Sequence, residues 1–164
     1  AMVQLMPETM HLFNAAVTDH PDISYSSLIA VAPPPPSGYR VSDIFSPIKV
    51  ALSGVFSLLY NITAREHRHY PYPHPGDELL ESQENAMPFQ LDSRSNDGIV
   101  PTMSQIYGHV IDIVIADHLD IVGQFTRDDI PRGDWLPSGS HFNLDRFEQA
   151  WERIALEVVT ASGG

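Results

Sequence analysis

The sequence predicts an α/β protein whose strands are mostly parallel and are flanked by helices. Two segments, residues 22–31 and 109–115, are rich in the β-branched and aromatic residues that favour strands. The second is apolar at most of its positions, which is typical of a parallel strand covered on both faces. Three stretches with helical spacing of apolar residues lie before, between and after these strands. Helices that alternate with strands in this way indicate a parallel sheet.

The first and last helices are amphipathic. Pro7 stands in the first turn of the N-terminal helix, where its missing N–H costs no hydrogen bond, and Phe13 and Val17 follow on one face that is predicted to dock. The last helix is predicted to begin after Asn143. Its apolar stripe consists of Leu144, Phe147, Trp151, Ile154 and Val158.

The middle helix, residues 47–62, is more apolar than an ordinary surface helix. Ser46 is predicted to cap it, Pro47 follows, and Lys49 is its only charged residue before Arg65. Its apolar residues cover too much of the circumference to face water alone. Two interpretations stay open: a helix buried in the protein, or a mobile lid that faces lipid.

Residues 65–93 show no sustained periodicity and are predicted to form a long loop. With the middle helix, they make up an insertion over approximately residues 32–93 within a single, partial domain that spans 1–164. Three histidines of this loop, His67, His69 and His74, suggest a rival hypothesis, a metal-binding protein, because imidazole is a common metal ligand.

Composition excludes several classes of partner. The chain has 164 residues and a net charge of −12, which would repel nucleic-acid phosphates and anionic lipid headgroups, whereas a neutral substrate is not penalised. The sequence contains no run of about 20 apolar residues, so no transmembrane segment is predicted. The absence of cysteine excludes disulfides and thiolate sites and leaves the compartment undecided.

Asp97 and His118 are the candidate catalytic residues. Each lies just outside a predicted strand, so that the carboxylate of Asp97 is expected to hold the imidazole of His118, and Gly98 allows a tight turn beside the acid. Ester hydrolysis by a triad needs a nucleophile, a base and an acid. These two residues fit the base and the acid, but no Gly-x-Ser-x-Gly nucleophile motif occurs in the sequence.

The motifs around these residues resemble a known family. They are Leu5 to Asn14, Tyr25-Ser26-Ser27, Asn96 to Val100, Ser104 to Gly108, and His118 to Asp120. In this order they resemble the C-terminal half of bacterial triacylglycerol lipases of the α/β-hydrolase fold. The resemblance covers residues 5–31 and 95 to about 125, and it is poor between them.

The resemblance implies specific roles. Asp97 would be the acid and His118 the general base of a lipase or carboxylesterase, and the family is secreted. Asp120 would give a carboxylate, and Gln124 a backbone carbonyl, to a calcium ion, which prefers several oxygen ligands. For the second carboxylate of that site, Asp77 and Asp92 are candidates.

Two functions from different classes follow. In the first, the chain hydrolyses neutral carboxylic esters, such as triacylglycerols, only with an N-terminal part that brings the nucleophile and the oxyanion-hole donors. In the alternative, it is a non-catalytic binding or regulatory module derived from a hydrolase scaffold. Such a module would cover an open sheet edge by self-association or with a partner.

Overall fold

The structure is a computed structural model that describes residues 7–36, 47–65, 87, 91–127 and 133–162. Its elements follow one another in the order α1 (Pro7–Ala16), β1 (Ser26–Val31), α2 (Pro47–Thr63), β2 (His109–Ile115) and α3 (Leu144–Ser162). Short 3-10 turns at Thr102–Gln105 and Asp120–Val122 precede and follow β2. The predicted insertion over residues 32–93 lies largely outside the described residues, apart from α2.

The two strands form a parallel sheet with α2 in the connection between them. Ser26 lies opposite His109 and Val31 opposite Ile115, with one irregularity after Ser27. Because parallel neighbours need a long crossover, this arrangement agrees with the predicted alternation of helices and strands. The prediction of an α/β protein is therefore confirmed in a coarse form, as helices together with a small two-stranded parallel sheet.

Both faces of the sheet are covered. Successive side chains of β1 point to opposite faces, so that Ile29 and Val31 join Ile113 in one cluster, while Ala30 joins a second. The second cluster contains Ala30, Ala116, Phe125 and Phe142, with Phe147 of α3 packed against it. Two-sided burial explains why β1 and β2 are apolar without strict alternation.

Helix α2 is buried along one side only. Phe56, Tyr60 and Ala64 form a cluster with Ala32 and Leu136. Ile48, Val55, Leu58 and Ile62 are 46–61% exposed. The interpretation of a buried helix thus holds for one face, and an apolar face is left at the surface. Ser46, His67, His69 and His74 lie outside the described residues.

Helix α3 begins where the sequence placed it. The Asn143 side chain accepts a hydrogen bond from the Arg146 N–H at 3.0 Å, which caps the first turn. Trp151 donates its indole N–H to the Ile121 carbonyl at 3.1 Å, and Arg153 pairs with Asp112 of β2. These contacts fix α3 against the strand that leads to His118.

The described helices include none that is both long and apolar enough to cross a lipid bilayer.

Candidate active site

The acid lies in a tight turn that its own side chain organises. Asp97 Oδ1 accepts hydrogen bonds from the backbone N–H groups of Ile99, at 2.9 Å, and Val100, at 2.7 Å. Gly98 adopts a φ of +96°, a conformation that favours glycine. A carboxylate bonded to the backbone two and three residues ahead is typical of an Asp turn. One carboxylate oxygen is therefore fixed, and Oδ2 points away from the turn.

Asn96 ties this turn to the sheet and to α2. Its carbonyl accepts the Ala32 N–H at 2.9 Å, just beyond the end of β1. Its side-chain oxygen accepts the Gly98 N–H at 2.8 Å, and its side-chain nitrogen donates to the Tyr60 carbonyl at 3.3 Å. Since Asn96 is completely buried, these bonds are shielded from water. They place Asp97 at the carboxyl end of β1.

The structure brings Asp97 and His118 together. Asp97 Oδ2 lies 2.9 Å from His118 Nδ1, and the Asp97 carbonyl accepts the His118 N–H at 2.9 Å. The Ala116 N–H donates to the Val31 carbonyl, so His118 follows directly after the last bond of the sheet. The Asp97 side chain is 4% exposed and that of His118 is 43% exposed.

This geometry fixes the tautomer of the imidazole. Asp97 Oδ1 accepts two backbone N–H groups, Oδ2 lies 3.3 Å from the Gln105 amide nitrogen, and a carboxylate with donors at both oxygens acts as an acceptor. Nδ1 of His118 must therefore carry the proton of the shared hydrogen bond. In the neutral ring this leaves the lone pair on Nε2, on an exposed side chain, which is the state of a general base.

Two buried carboxylates flank the histidine. Asp117 Oδ1 accepts from the N–H groups of Leu119, at 2.9 Å, and Asp120, at 3.1 Å. In return, Asp120 Oδ2 accepts the Asp117 N–H at 2.9 Å. These reciprocal bonds close the turn over residues 117–120, which leads into the 3-10 turn Asp120–Val122, so that the backbone of His118 has little freedom.

Two serines of a second loop donate further hydrogen bonds to these two carboxylates. Ser138 donates its hydroxyl to Asp117 Oδ2 at 2.8 Å, and Ser140 donates to Asp120 Oδ2 at 2.7 Å. Burial raises the pKa of both carboxyls, and the charge of Asp120 raises the pKa of Asp117 further, whereas the serine hydroxyls lower both pKa values. Asp117, Ser138 and Ser140 are not among the site residues predicted from the sequence. The spacing of Asp117 and Asp120 is a local signal of side-chain capping, but nothing local points to the serines.

Of the predicted calcium ligands, Asp120 begins the 3-10 turn Asp120–Val122, and Gln124 follows that turn. Asp120 Oδ2 already accepts two hydrogen bonds, and the Gln124 N–H bonds the Leu119 carbonyl at 3.0 Å. Asp92 is engaged in its own turn with Ser95. In the part of the chain that the structure describes, no three His, Asp or Glu side chains are grouped to hold a metal ion. Asp77 lies outside that part, and calcium binding stays a prediction.

No profile of a known protein family, no curated protein and no solved structure matches this chain. The geometry of the Asp97–His118 pair and the sequence motifs around it are the basis for a functional proposal.

Proposed function

We propose that this chain is the acid- and histidine-bearing portion of a carboxylic ester hydrolase of the α/β-hydrolase fold. The observation that carries the proposal is the 2.9 Å contact between Asp97 Oδ2 and His118 Nδ1. Asn96 bonds to Ala32 just beyond the end of β1, and His118 follows β2, so that Asp97 and His118 lie at the same end of the sheet, where this fold presents its acid and its histidine.

The proposed chemistry assigns a separate role to each side chain. His118 Nε2 takes the proton of a hydroxyl nucleophile as that oxygen attacks the ester carbonyl, and later gives it to the leaving alcohol. Asp97 keeps the Nδ1–H tautomer in place and stabilises the imidazolium that forms. Since the sequence has no nucleophile motif, a further polypeptide portion supplies the serine and the oxyanion-hole donors.

Neutral esters, including triacylglycerols, are the proposed substrates. The net charge of −12 disfavours anionic ligands and leaves neutral ones unaffected. The exposed apolar face of α2 offers a surface for acyl chains, and in this proposal α2 acts as the lid.

The nucleophile-bearing portion has a surface to dock on. In α1 and after it, Leu12, Phe13, Val17 and Ile23 are 52–71% exposed, although the sequence predicts that this helix docks. Several large apolar side chains exposed within residues 12–23 are typical of an interface. The same observation favours the second candidate function, a binding module that covers this surface by self-association.

The test is co-expression of the chain with the polypeptide encoded directly upstream, followed by p-nitrophenyl butyrate hydrolysis. We expect activity in the complex, and a loss of about 10⁴-fold or more in kcat for H118A, as in other triads. H109A is the matched control, since His109 is also exposed but begins β2, at the opposite end of the strand from His118, and it should keep full activity. An inactive complex, or an H118A complex as active as the parent, rules the proposal out. Self-association of the chain alone with no hydrolysis supports the binding module.

A further inference from the structure

Gln105 bonds to strand β1 as a neighbouring strand would. It lies in the 3-10 turn Thr102–Gln105. Its side-chain Oε1 accepts the Ala30 N–H at 2.7 Å, and its Nε2 donates to the Ala30 carbonyl at 3.1 Å. One side-chain amide thus satisfies both backbone groups of one strand residue, on the edge opposite β2.

The same nitrogen reaches the acid of the proposed active site. Gln105 Nε2 lies 3.3 Å from Asp97 Oδ2 and 3.3 Å from the Val100 carbonyl. The orientation of the amide is decided by its surroundings, because the donor, the Ala30 N–H, faces Oε1 while three acceptors face Nε2. One Nε2 hydrogen serves the Ala30 carbonyl, and the other is shared by the two remaining acceptors.

Gln105 completes the hydrogen bonding of the carboxylate. Asp97 Oδ1 accepts two backbone N–H groups, and Oδ2 accepts the imidazole and Gln105. Both oxygens are therefore held by two donors each, and the carboxylate cannot rotate without losing bonds to the turn and to β1. Charge-assisted bonds of this kind are stronger than neutral ones.

We infer that Gln105 is a positioning residue for the Asp97–His118 pair. It anchors Asp97 Oδ2 to the backbone of β1, so that this oxygen stays where it accepts the Nδ1 proton of His118. The inference rests on the proposed function, because the roles of the acid and the base belong to that proposal. Gln105 has no hydrogen bond to the imidazole of His118, and it acts through Asp97.

The experiment measures the His118 tautomer and the solvent exchange of its Nδ1 proton by ¹⁵N NMR on the isolated chain. In the parent protein we expect the Nδ1–H tautomer and a protected proton. In Q105M, which keeps the length of the side chain but removes the amide, exchange should be about tenfold faster, since losing a bond to a charged group corresponds to at least that factor. A mixture of tautomers should appear.

Two further variants make the result specific. T102V is the matched control, because the buried Thr102 donates to the same Ala30 carbonyl, at 3.4 Å, but does not touch Asp97. It should leave the exchange of the imidazole proton unchanged. D97N should reverse the tautomer to Nε2–H, because the introduced amide offers a donor to Nδ1.

The outcomes distinguish a failure of the role of Gln105 from a failure of the Asp97–His118 acid–base pair. An unchanged tautomer in D97N would overturn the acid–base pair and the proposed function with it. A changed tautomer in D97N together with parent-like exchange in folded Q105M would overturn the role of Gln105 alone. If Q105M does not fold, the side-chain amide resonances of Gln105 in D97N decide: a shift supports the contact with Asp97, and unchanged resonances contradict it.

Discussion

Asp97 and His118 are joined by two hydrogen bonds, one through the backbone and one through the side chains. The Asp97 carbonyl accepts the His118 N–H at 2.9 Å, and Asp97 Oδ2 lies 2.9 Å from His118 Nδ1. The first bond fixes the distance between the two backbones, so that the second forms without ordering either loop. Such preorganisation is what a catalytic pair requires, because an oriented base needs no rearrangement as charge develops.

The turn that carries Asp97 should be sensitive to substitution of Gly98. A Cβ atom at this position would lie 3.1 Å from Phe56 Cε2, and the φ of +96° disfavours any L side chain. G98A should therefore lower the free energy of unfolding by about 1 to 3 kcal/mol, measured by urea denaturation. G54A is the control, because Gly54 lies inside α2 with open space around it, and it should stabilise by about 0.5 to 1 kcal/mol. Equal effects of the two substitutions would contradict the strained turn.

The sequence predicts those features of the fold that depend on local patterns. The strand over residues 109–115 is found as β2 (His109–Ile115), and the helix over 47–62 as α2 (Pro47–Thr63). The Asp97–His118 contact was also expected, since the turn and apolar strand over residues 103–115 separate the two residues and place each just outside a strand. Each of these features is set by periodicity, by a turn signal or by adjacency in the sheet.

The features that were not predicted depend on the positions of loops. Gln105, Ser138 and Ser140 are single polar residues without periodicity, and they have roles only because their loops reach Asp97, Asp117 and Asp120. The exposed face of α2 shows a different limit. The apolar residues of α2 predict that the helix is buried, but they do not predict which of its faces packs on the rest of the chain and which stays exposed.

Asp117 should make stability depend on pH. Burial first, and then the charge of Asp120, raise the pKa of its carboxyl above the ordinary Asp value. The folded state therefore holds a proton that the unfolded state releases, and stability falls as pH rises from the ordinary Asp pKa towards the raised one. The side-chain oxygen of D117N still accepts the Leu119 and Asp120 amides, but the side chain cannot ionise. The decrease in stability that ionisation of Asp117 causes should therefore be missing from D117N over this pH range.

The free energy of unfolding of the parent and of D117N is measured by urea denaturation in EDTA between about pH 4 and pH 8. From the acidic to the alkaline end of this range, the free energy of unfolding of D117N should rise by more than about 1 kcal/mol relative to that of the parent. D145N is the control, because Asp145 is exposed in the first turn of α3 and should show no such gain. A constant difference between parent and D117N across the range would count against a raised pKa.

Calcium should stabilise the chain if Asp120 contributes to a calcium site. A cation beside Asp120 would compensate the buried negative charges of Asp117 and Asp120, whose pKa values burial raises. A ligand that binds only the folded state stabilises it by about 2.7 kcal/mol at a hundred times its Kd, and the melting temperature therefore rises with ligand concentration. The melting temperature of the parent should rise with millimolar CaCl₂, and that of D120N should not. An equal rise in both proteins, or none in the parent, would refute the predicted ligand.

The exposed face of α2 should control the use of aggregated ester substrates. Val55 and Leu58 are 46% and 61% exposed, and neither belongs to the cluster around Phe56 and Tyr60. Changing both to serine removes apolar area that would enter a lipid surface. Each Å² of apolar area that no longer enters the lipid lowers the favourable free energy of binding by about 25 cal/mol. In the proposed complex with a nucleophile-bearing portion, V55S/L58S should hydrolyse emulsified tributyrin several-fold more slowly. Hydrolysis of dissolved p-nitrophenyl butyrate should stay unchanged.

The control for this effect is L156S/V159S on α3, because Leu156 and Val159 are 67% and 69% exposed but lie on a different helix. If lipid contact is specific to α2, these substitutions should alter neither substrate. A loss of both activities in V55S/L58S would instead mean that this face of α2 packs within the complex. Such a result would support burial of α2 and would remove the reason for calling it a lid.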